Sequence, residues 1–444
     1  MKNTLLLAIL FCLPQLSHAQ TPSKTLLKGC TLIDGTGASA KPNTDILLIG
    51  DRIAGIGKNL AARGATVVDL QGKTVMPALI SAHVHVGTLK GTGSSAENYT
   101  RENIINQLVR YQDYGITHVL VMGTDRPLIF NGLRDSTVAG LLPGARLYSA
   151  GYGFNTPDKN PGSWMNLLLR PESAEEVPAL IDSVAKVKPT VLKMWVDDHG
   201  GKAQKMKTEV YTAIISEAHK RGIRVAAHLF NVADADALVD AGLDIIAHSI
   251  RDAVVGPSLL AKLKAKGVIY IPTLSLDEYA VIYTENPEWI NEPFFKASLE
   301  PGVYEMLTSK SYQESVRNSP DFKRNSEAAQ TALVNLKKIH DAGITVALGT
   351  DSGAFAVRTQ GFTEHHELEL MVRAGLTPLR ALTAATQNAA KALKIEQDYG
   401  TIAIGKKADI VILGKNPENN IRNTRTIEAI WKDGKPVSKG PLAR

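Results

Sequence analysis

Two cysteines in 444 residues leave little room for disulfide or thiolate chemistry. One of them, Cys12, lies within MKNTLLLAILFCLPQLSHAQ, where a basic start at Lys2, an apolar run from Leu5 to Leu13 and small residues at Ser17 and Ala19 read as a secretory signal over residues 1–19. Its removal would leave Cys30 alone, which excludes an intramolecular disulfide even in an oxidising compartment. Aromatic residues make up only 6% of the chain, and its basic residues are dispersed rather than clustered. Nucleic-acid binding needs a concentrated basic footprint, so no nucleic-acid partner is expected. Beyond the signal no apolar run is long enough to span a bilayer. The expected product is a soluble protein, secreted or periplasmic, with no membrane partner after signal cleavage.

What the chain does have is apolar content, 44% of residues, over a length that suits one barrel-sized domain and a smaller one. From Lys24 to Met76, TLLKGCTLID, TDILLIG, DRIAGIG and ATVVDLQGKTV are short β-type runs separated by turn residues. The same texture returns in GKKADIVILG and IEAIWKDGKPV. Residues 20–76 and 394–444 are therefore expected to form one composite β-sandwich domain from both chain ends. Between them, residues 77–393 alternate strand-like and helix-like segments, the pattern of a parallel sheet with crossover helices. The strand candidates are ALISAHV, GITHVLVMG, ARLYSAG, TVLKMWV, IRVAAHL, LDIIAHS, GVIYIPT and ITVALGTD. Eight such units predict an α/β fold, a (β/α)8 TIM barrel.

The connection from Ser275 to Ser326 is too long for an ordinary loop and holds Tyr279, Tyr283, Trp289, Phe294, Phe295, Tyr304, Tyr312 and Phe322. Loops of this length are usually functional, and the aromatic density argues against disorder, so a helical cap insertion over the barrel mouth is expected, offering apolar contacts to bulky substrates.

Residues two apart on a strand share a face, so His83 and His85 in ALISAHVHVG project together. Alone the pair is weak evidence for a metal. The layout repeats, however: IRVAA ends in His228, DIIA in His248 and ITVALGT in Asp351, each at the C-terminal strand end where barrel active sites lie. Lys193 sits inside the fourth strand among apolar residues and must be salt-bridged, neutral or chemically altered there. Asp197, Asp198 and His199 follow that strand and could face substrate or serve turns and caps. Arg251, just after His248, offers a planar fork for a substrate carboxylate or a surface ion pair. His365 and His366 fit the rim or a helix start, and His219 and His340 fit charged helix surfaces.

These residues, with TLIDGTG, GKTVMP, AGLTPLRALTAATQNAAKAL and GTIAIGKKADIVIL, resemble the amidohydrolase superfamily of metal-dependent hydrolases, and its dipeptidase and imidazolonepropionase-like relatives in particular. The resemblance implies a binuclear centre of two divalent ions, zinc or a similar first-row metal. His83, His85 and Asp351 would hold the more buried ion and His228 and His248 the second, with Lys193, carboxylated by CO2 to a carbamate, bridging them. A carbamate also turns a disfavoured buried cation into an oxygen ligand suited to such ions. The implied reaction is hydrolysis of an amide C–N bond in a small-molecule or peptide-like substrate by a metal-activated hydroxide, with Asp351 as general acid/base. A lactone, ester or phosphoester is the alternative on the same site, and a non-catalytic exported binding protein is the reading from another class. A homo-oligomer is expected by analogy with the family.

The chain departs from the family's PGLIDAHVH at Ala78 and Ser81, which removes a carboxylate able to orient the ligands. His118, and Tyr152 in SAGYGFN, also differ from the dipeptidase-like pattern and argue against a dipeptide substrate. Tyr152, His199 and Arg251 are the candidate substrate contacts.

Overall fold

The structure is a computed structural model that describes residues 23–157, 166–198 and 200–443. The signal reading over residues 1–19 and the candidate His199 lie outside the described residues.

Eight parallel strands carry the site: Leu79–Val84, Ile116–Val121, Arg146–Ser149, Leu192–Trp195, Val225–His228, Ile245–Ala247, Ile269–Ile271 and Thr345–Val346. Each falls within one of the eight runs read from the sequence. They pair in chain order as a three-stranded and a five-stranded sheet. The seams between the sheets are hydrogen-bonded too. At one, Phe154 N donates to Lys193 O and Thr190 N to Ser149 O, both at 2.8 Å; at the other, Ala82 N donates to Leu348 O and His85 N to Ser352 O, also at 2.8 Å. The result is a TIM-barrel-like α/β fold. The strands are apolar on both faces because helices cover one side and the strands' own side chains fill the other. Ile80, Ala82, Leu120, Met122, Ala226, Ile245 and Ala347 form that inner layer.

Strands from both chain ends, among them Lys24–Leu32, Thr74–Pro77 and Ile410–Leu413, join in a second, eight-stranded sheet among the described residues. All eight belong to one hydrogen-bonded array around its own apolar cluster of Leu27, Leu48, Val75, Ile410 and Trp431. Buried Arg146, on the third barrel strand, reaches Asp409 of this sheet at 2.6 Å and also pairs with Asp433. Losing Arg146 would strip the buried Asp409 of its ion-pair partner, so the contact ties sheet to barrel.

The long connection is helical, with Leu274–Tyr279, Pro293–Lys296, Val303–Thr308 and Lys310–Arg317 preceding the helix Phe322–Asp341. Its aromatics do not do what their density suggested. Tyr279, Tyr283, Trp289, Phe294 and Phe295 are buried. Trp289 packs at 4.7 Å from Phe295 and 5.1 Å from Phe362, and Tyr279 stacks on His366 at 5.8 Å. They anchor the insertion to the body, because large rings gain most by burial against one another. The insertion instead reaches the cavity through Leu276, Asp277, Ala280, Arg324 and Asn325.

Candidate metal centre

The ends of the first and eighth strands meet through two bonds: Thr350 N and Asp351 N both donate to His83 O, at 3.0 and 2.9 Å. This close approach requires glycine at 349, where a Cβ would lie 2.7 Å from that of His83. As a result Asp351 Oδ1 stands 2.8 Å from His85 Nε2 and 3.2 Å from His83 Nε2. Among the described residues these three form the one group whose donor atoms all lie within 4.8 Å of one another. His228 and His248 continue the row. The His248 ring is 4.6 Å from His83 and 4.2 Å from His228. His228 Nε2 stands 3.2 Å from Asp197 Oδ1.

Lys193 is fully buried, and its Nζ has no hydrogen-bond partner among the described residues. The Nζ lies over the Trp195 ring, 5.1 Å from its centre. Gly123 makes room for the lysine stem, since a Cβ there would fall 2.8 Å from Lys193 Cβ. Burial pushes the amine down to about 7, against the opposing pull of the Asp351 and Asp197 charges. Burial also lowers His83 to about 3 and His228 to about 4, with the Lys193 charge adding to the effect, and takes His248 well below the usual imidazole range. For Asp351 burial acts upward, but the adjoining Arg358 guanidinium and the His85 and His83 imidazoles overcome it and hold the carboxyl well below its ordinary value.

Imidazoles, an ionised carboxylate and a buried amine are a donor set suited to first-row divalent ions. The rings are also oriented as such ligands require. His85 Nδ1 hydrogen-bonds the Thr124 hydroxyl at 2.7 Å and His248 Nδ1 the Thr273 hydroxyl at 2.8 Å, leaving Nε2 as the donor atom.

The cavity above these groups measures about 520 Å³. Trp195, Phe230 and Phe355 give it apolar walls, and Asp197, Asp198, Asp277, Arg251, Arg324 and Arg358 line it with charge. Arg251 is placed as expected, yet it is engaged: its Nε is 2.8 Å from Asp277 and its Nη1 donates to Ser249 O at 2.7 Å. Tyr152, expected at the mouth, is not among the lining residues; its ring packs edge-on against Phe130 at 5.3 Å. His365 and His366 are buried structural groups. His365 bridges Thr424 and the Tyr114 carbonyl at 2.9 and 2.8 Å, and His366 contacts Glu278. His118 lies inside the barrel's other face, hydrogen-bonded to Thr117 at 2.9 Å and 4.2 Å from the Tyr399 ring. His219 pairs with Asp244 at 2.8 Å.

Sequence reasoning did not single out Asp277, Arg358, Trp195, Phe230, Phe355, Thr124 or Thr273. The two threonines had a signal, since Thr124 directly follows a predicted strand and Thr273 ends one. The others had none.

Asp125, next to Thr124, accepts a hydrogen bond from Tyr99 Oη at 3.2 Å and another from Ser149 Oγ. Burial raises its carboxyl to about 7, although both hydroxyls act to lower it. The folded chain then holds a proton that the unfolded chain releases near pH 4. Stability from this group is full below that pH and is lost as pH rises to about 7. Asp125→Asn should raise stability above pH 7 by roughly a few kcal/mol and flatten the slope between pH 4 and 7; urea unfolding at several pH values measures both.

The model of the amidohydrolase family matches residues 74–438 of the chain. Over 304 residues the chain is 28% identical to ochratoxinase of Aspergillus niger, covering 65% of this chain and 54% of that protein. The chain thus spans about half the length of that curated relative. It is 24% identical over 385 residues to imidazolonepropionase of Alkaliphilus oremlandii (strain OhILAs), with 83% of each chain covered. A solved structure of a Xaa-Pro dipeptidase with bound methionine in its active site shares the fold at a TM-score of 0.73 and 24% identity, over 93% of this chain and 99% of that one.

Proposed function

As the chain belongs to the amidohydrolase family, we propose that it is a metal-dependent hydrolase acting on a C–N bond, an amide, of a small or peptide-like substrate, in a secreted or periplasmic setting. The observation that carries this reading is the buried Lys193 amine, without a hydrogen-bond partner among the described residues, whose charge acts on His83, His228 and His248. His83, His85 and Asp351 would hold one divalent ion, zinc by donor type, and His228 and His248 a second, with Lys193 as a carbamate between them. Such ions, when bound, supply a water acidified to near neutrality and polarisation of the substrate carbonyl.

The remaining chemistry belongs to the side chains. Asp351, kept ionised, is placed to take a proton from the attacking water and to return it to the departing nitrogen, which leaves poorly as an anion. Trp195 and Phe230 form planar walls against an apolar group, and the half-exposed Phe355 stands at the entrance. Of the cavity's arginines, Arg251 and Arg358 are engaged by Asp277 and Asp351. Among the described residues Arg324 has only Asp321, at 3.4 Å, as an ionic partner, and its Nε donates to none of them. It is the guanidinium available to an anionic end of the substrate. Arg324→Ala should lower kcat/KM about 10-fold for a carboxylate-bearing amide and leave its neutral counterpart nearly unchanged; equal effects on both would remove Arg324 from substrate recognition.

The reading as a whole is tested by assaying matched amides and esters before and after chelation. Amide hydrolysis that is lost with the metal and restored by zinc supports it. Ester or phosphoester turnover alone moves the activity to the alternative bond class, and unaffected turnover rejects the metal requirement.

A further inference from the structure

The eighth strand leads into the helix Phe362–Arg373, which carries two fully buried carboxylates, Glu364 and Glu367, three residues apart and so on one face. Neither lines the cavity. Glu364 Oε1 accepts from Thr350 Oγ1 and Ser352 Oγ, both at 2.7 Å, and from Ser81 Oγ at 3.3 Å, while Oε2 accepts from Gly361 N at 2.9 Å. One carboxylate therefore grips both neighbours of Asp351 and Ser81, two residues before His83 on the first strand. Glu367 Oε1 accepts from Leu274 N at 2.7 Å and Oε2 from Ser275 N at 2.8 Å. These amides directly follow Thr273, whose hydroxyl meets His248 Nδ1. Ser275 Oγ donates to Thr350 O at 3.4 Å, linking the two grips.

Both gripped segments contain a backbone that does not hold itself. Asp351 has φ 60° and Thr273, a β-branched residue, φ 49°. Such conformations cost about 1–3 kcal/mol each and persist only where surrounding structure over-determines them. The carboxylates provide that constraint at the strand end that presents Asp351 and at the one whose Thr273 holds His248, a candidate ligand from each half of the centre. Glu364 also brings a carboxylate under the first strand, where Ser81 has none of its own.

We propose that Glu364 and Glu367 are positioning residues for the metal centre: Glu364 sets Asp351 against His83 and His85, and Glu367 sets His248 through Thr273. This rests on the metal-dependent reading above. A purely structural role, capping the helices Phe362–Arg373 and Leu274–Tyr279, predicts lost thermal stability and nothing else. Positioning predicts altered affinity for the ions.

The test uses full-length protein stripped of metal, titrated with Zn²⁺ against a chromophoric chelator and with Co²⁺ by absorption spectroscopy, alongside far-UV circular dichroism. Glu364→Gln and Glu367→Gln should each weaken binding of an ion about 10- to 100-fold and change the Co²⁺ spectrum, with secondary structure retained. Wild-type affinity and spectrum in both variants, with only a lowered melting temperature, would overturn the inference while leaving the metal-dependent reading intact. A wild-type chain that takes up neither ion overturns both. Should a Gln variant fail to fold, Ser352→Ala removes a hydroxyl that Glu364 holds and Ser275→Ala the hydroxyl that links Glu367 to Thr350 O, and the same comparison applies: weakened ion binding supports positioning, and unchanged binding rejects it.

Discussion

Replacing Lys193 is expected to cost the protein its binuclear metal loading and, with it, turnover. In Lys193→Ala, bound divalent metal should drop from two ions per chain to one or fewer, and hydrolysis should fall by about three orders of magnitude or more, because the shared nucleophile depends on both ions. The same substitution separates this account from a structural one. A lysine holding a core salt bridge would be missed on removal; this one has no hydrogen-bond partner among the described residues and is pushed by burial to about 7. Lys193→Met, which keeps the volume and discards the charge, should therefore stabilise the metal-free protein while abolishing metal uptake. The sign follows from proton linkage: between pH 7 and 10.5 the unfolded chain holds a proton that the folded chain lacks, so metal-free stability rises across that window. At neutral pH the amine costs the fold on the order of a few kcal/mol, and the Met variant loses the slope. Metal content by atomic emission and denaturant unfolding of metal-free protein measure the two effects. Normal loading and turnover in Lys193→Ala would refute the carbamate role.

Asp351→Asn should produce the second-largest effect. The amide keeps an oxygen in place but can neither take the water's proton nor protonate the departing nitrogen, so kcat should fall about 10²- to 10⁴-fold. The loss should be greater for amides than for esters with good leaving groups, which depart without a proton. Metal uptake should weaken too, since Asp351 lies within reach of both His83 and His85. An amide-to-ester ratio unchanged by Asp351→Asn would assign proton transfer to another group. Asp277, lining the same cavity and raised by burial to about 6 against the pull of Arg251, is then the first to examine.

The barrel-like part of this fold was legible because its strands are short apolar runs of β-type residues that stop at a polar group. IRVAAH and DIIAHS announce both the strand and its functional end. The grouping of His83, His85 and Asp351 could be anticipated for the same reason, since strand ends of one parallel sheet converge on one face. Other features carried no such mark. Nothing in the spacing of Trp289, Phe294 and Phe295 says which way their rings point, and the structure turns them inward against Phe362. Tyr152 sits at the right place along its strand, yet Phe130 offers its ring a partner away from the cavity. Arg251 was visible, but its partner Asp277 comes from a helix 26 positions later, beyond any local pattern. Glu364 and Glu367 read as ordinary helix residues in TEHHELEL, because burial of a carboxylate face is a tertiary fact that helix periodicity does not encode.

The most direct measurement is a crystal structure of the zinc-loaded protein with anomalous data at the zinc edge. The account predicts two anomalous peaks, one against His83, His85 and Asp351 and the other against His228 and His248, with density for a carboxyl group on Lys193 Nζ between them. A bare amine at Lys193, with no peak beside either pair of histidines, would contradict it.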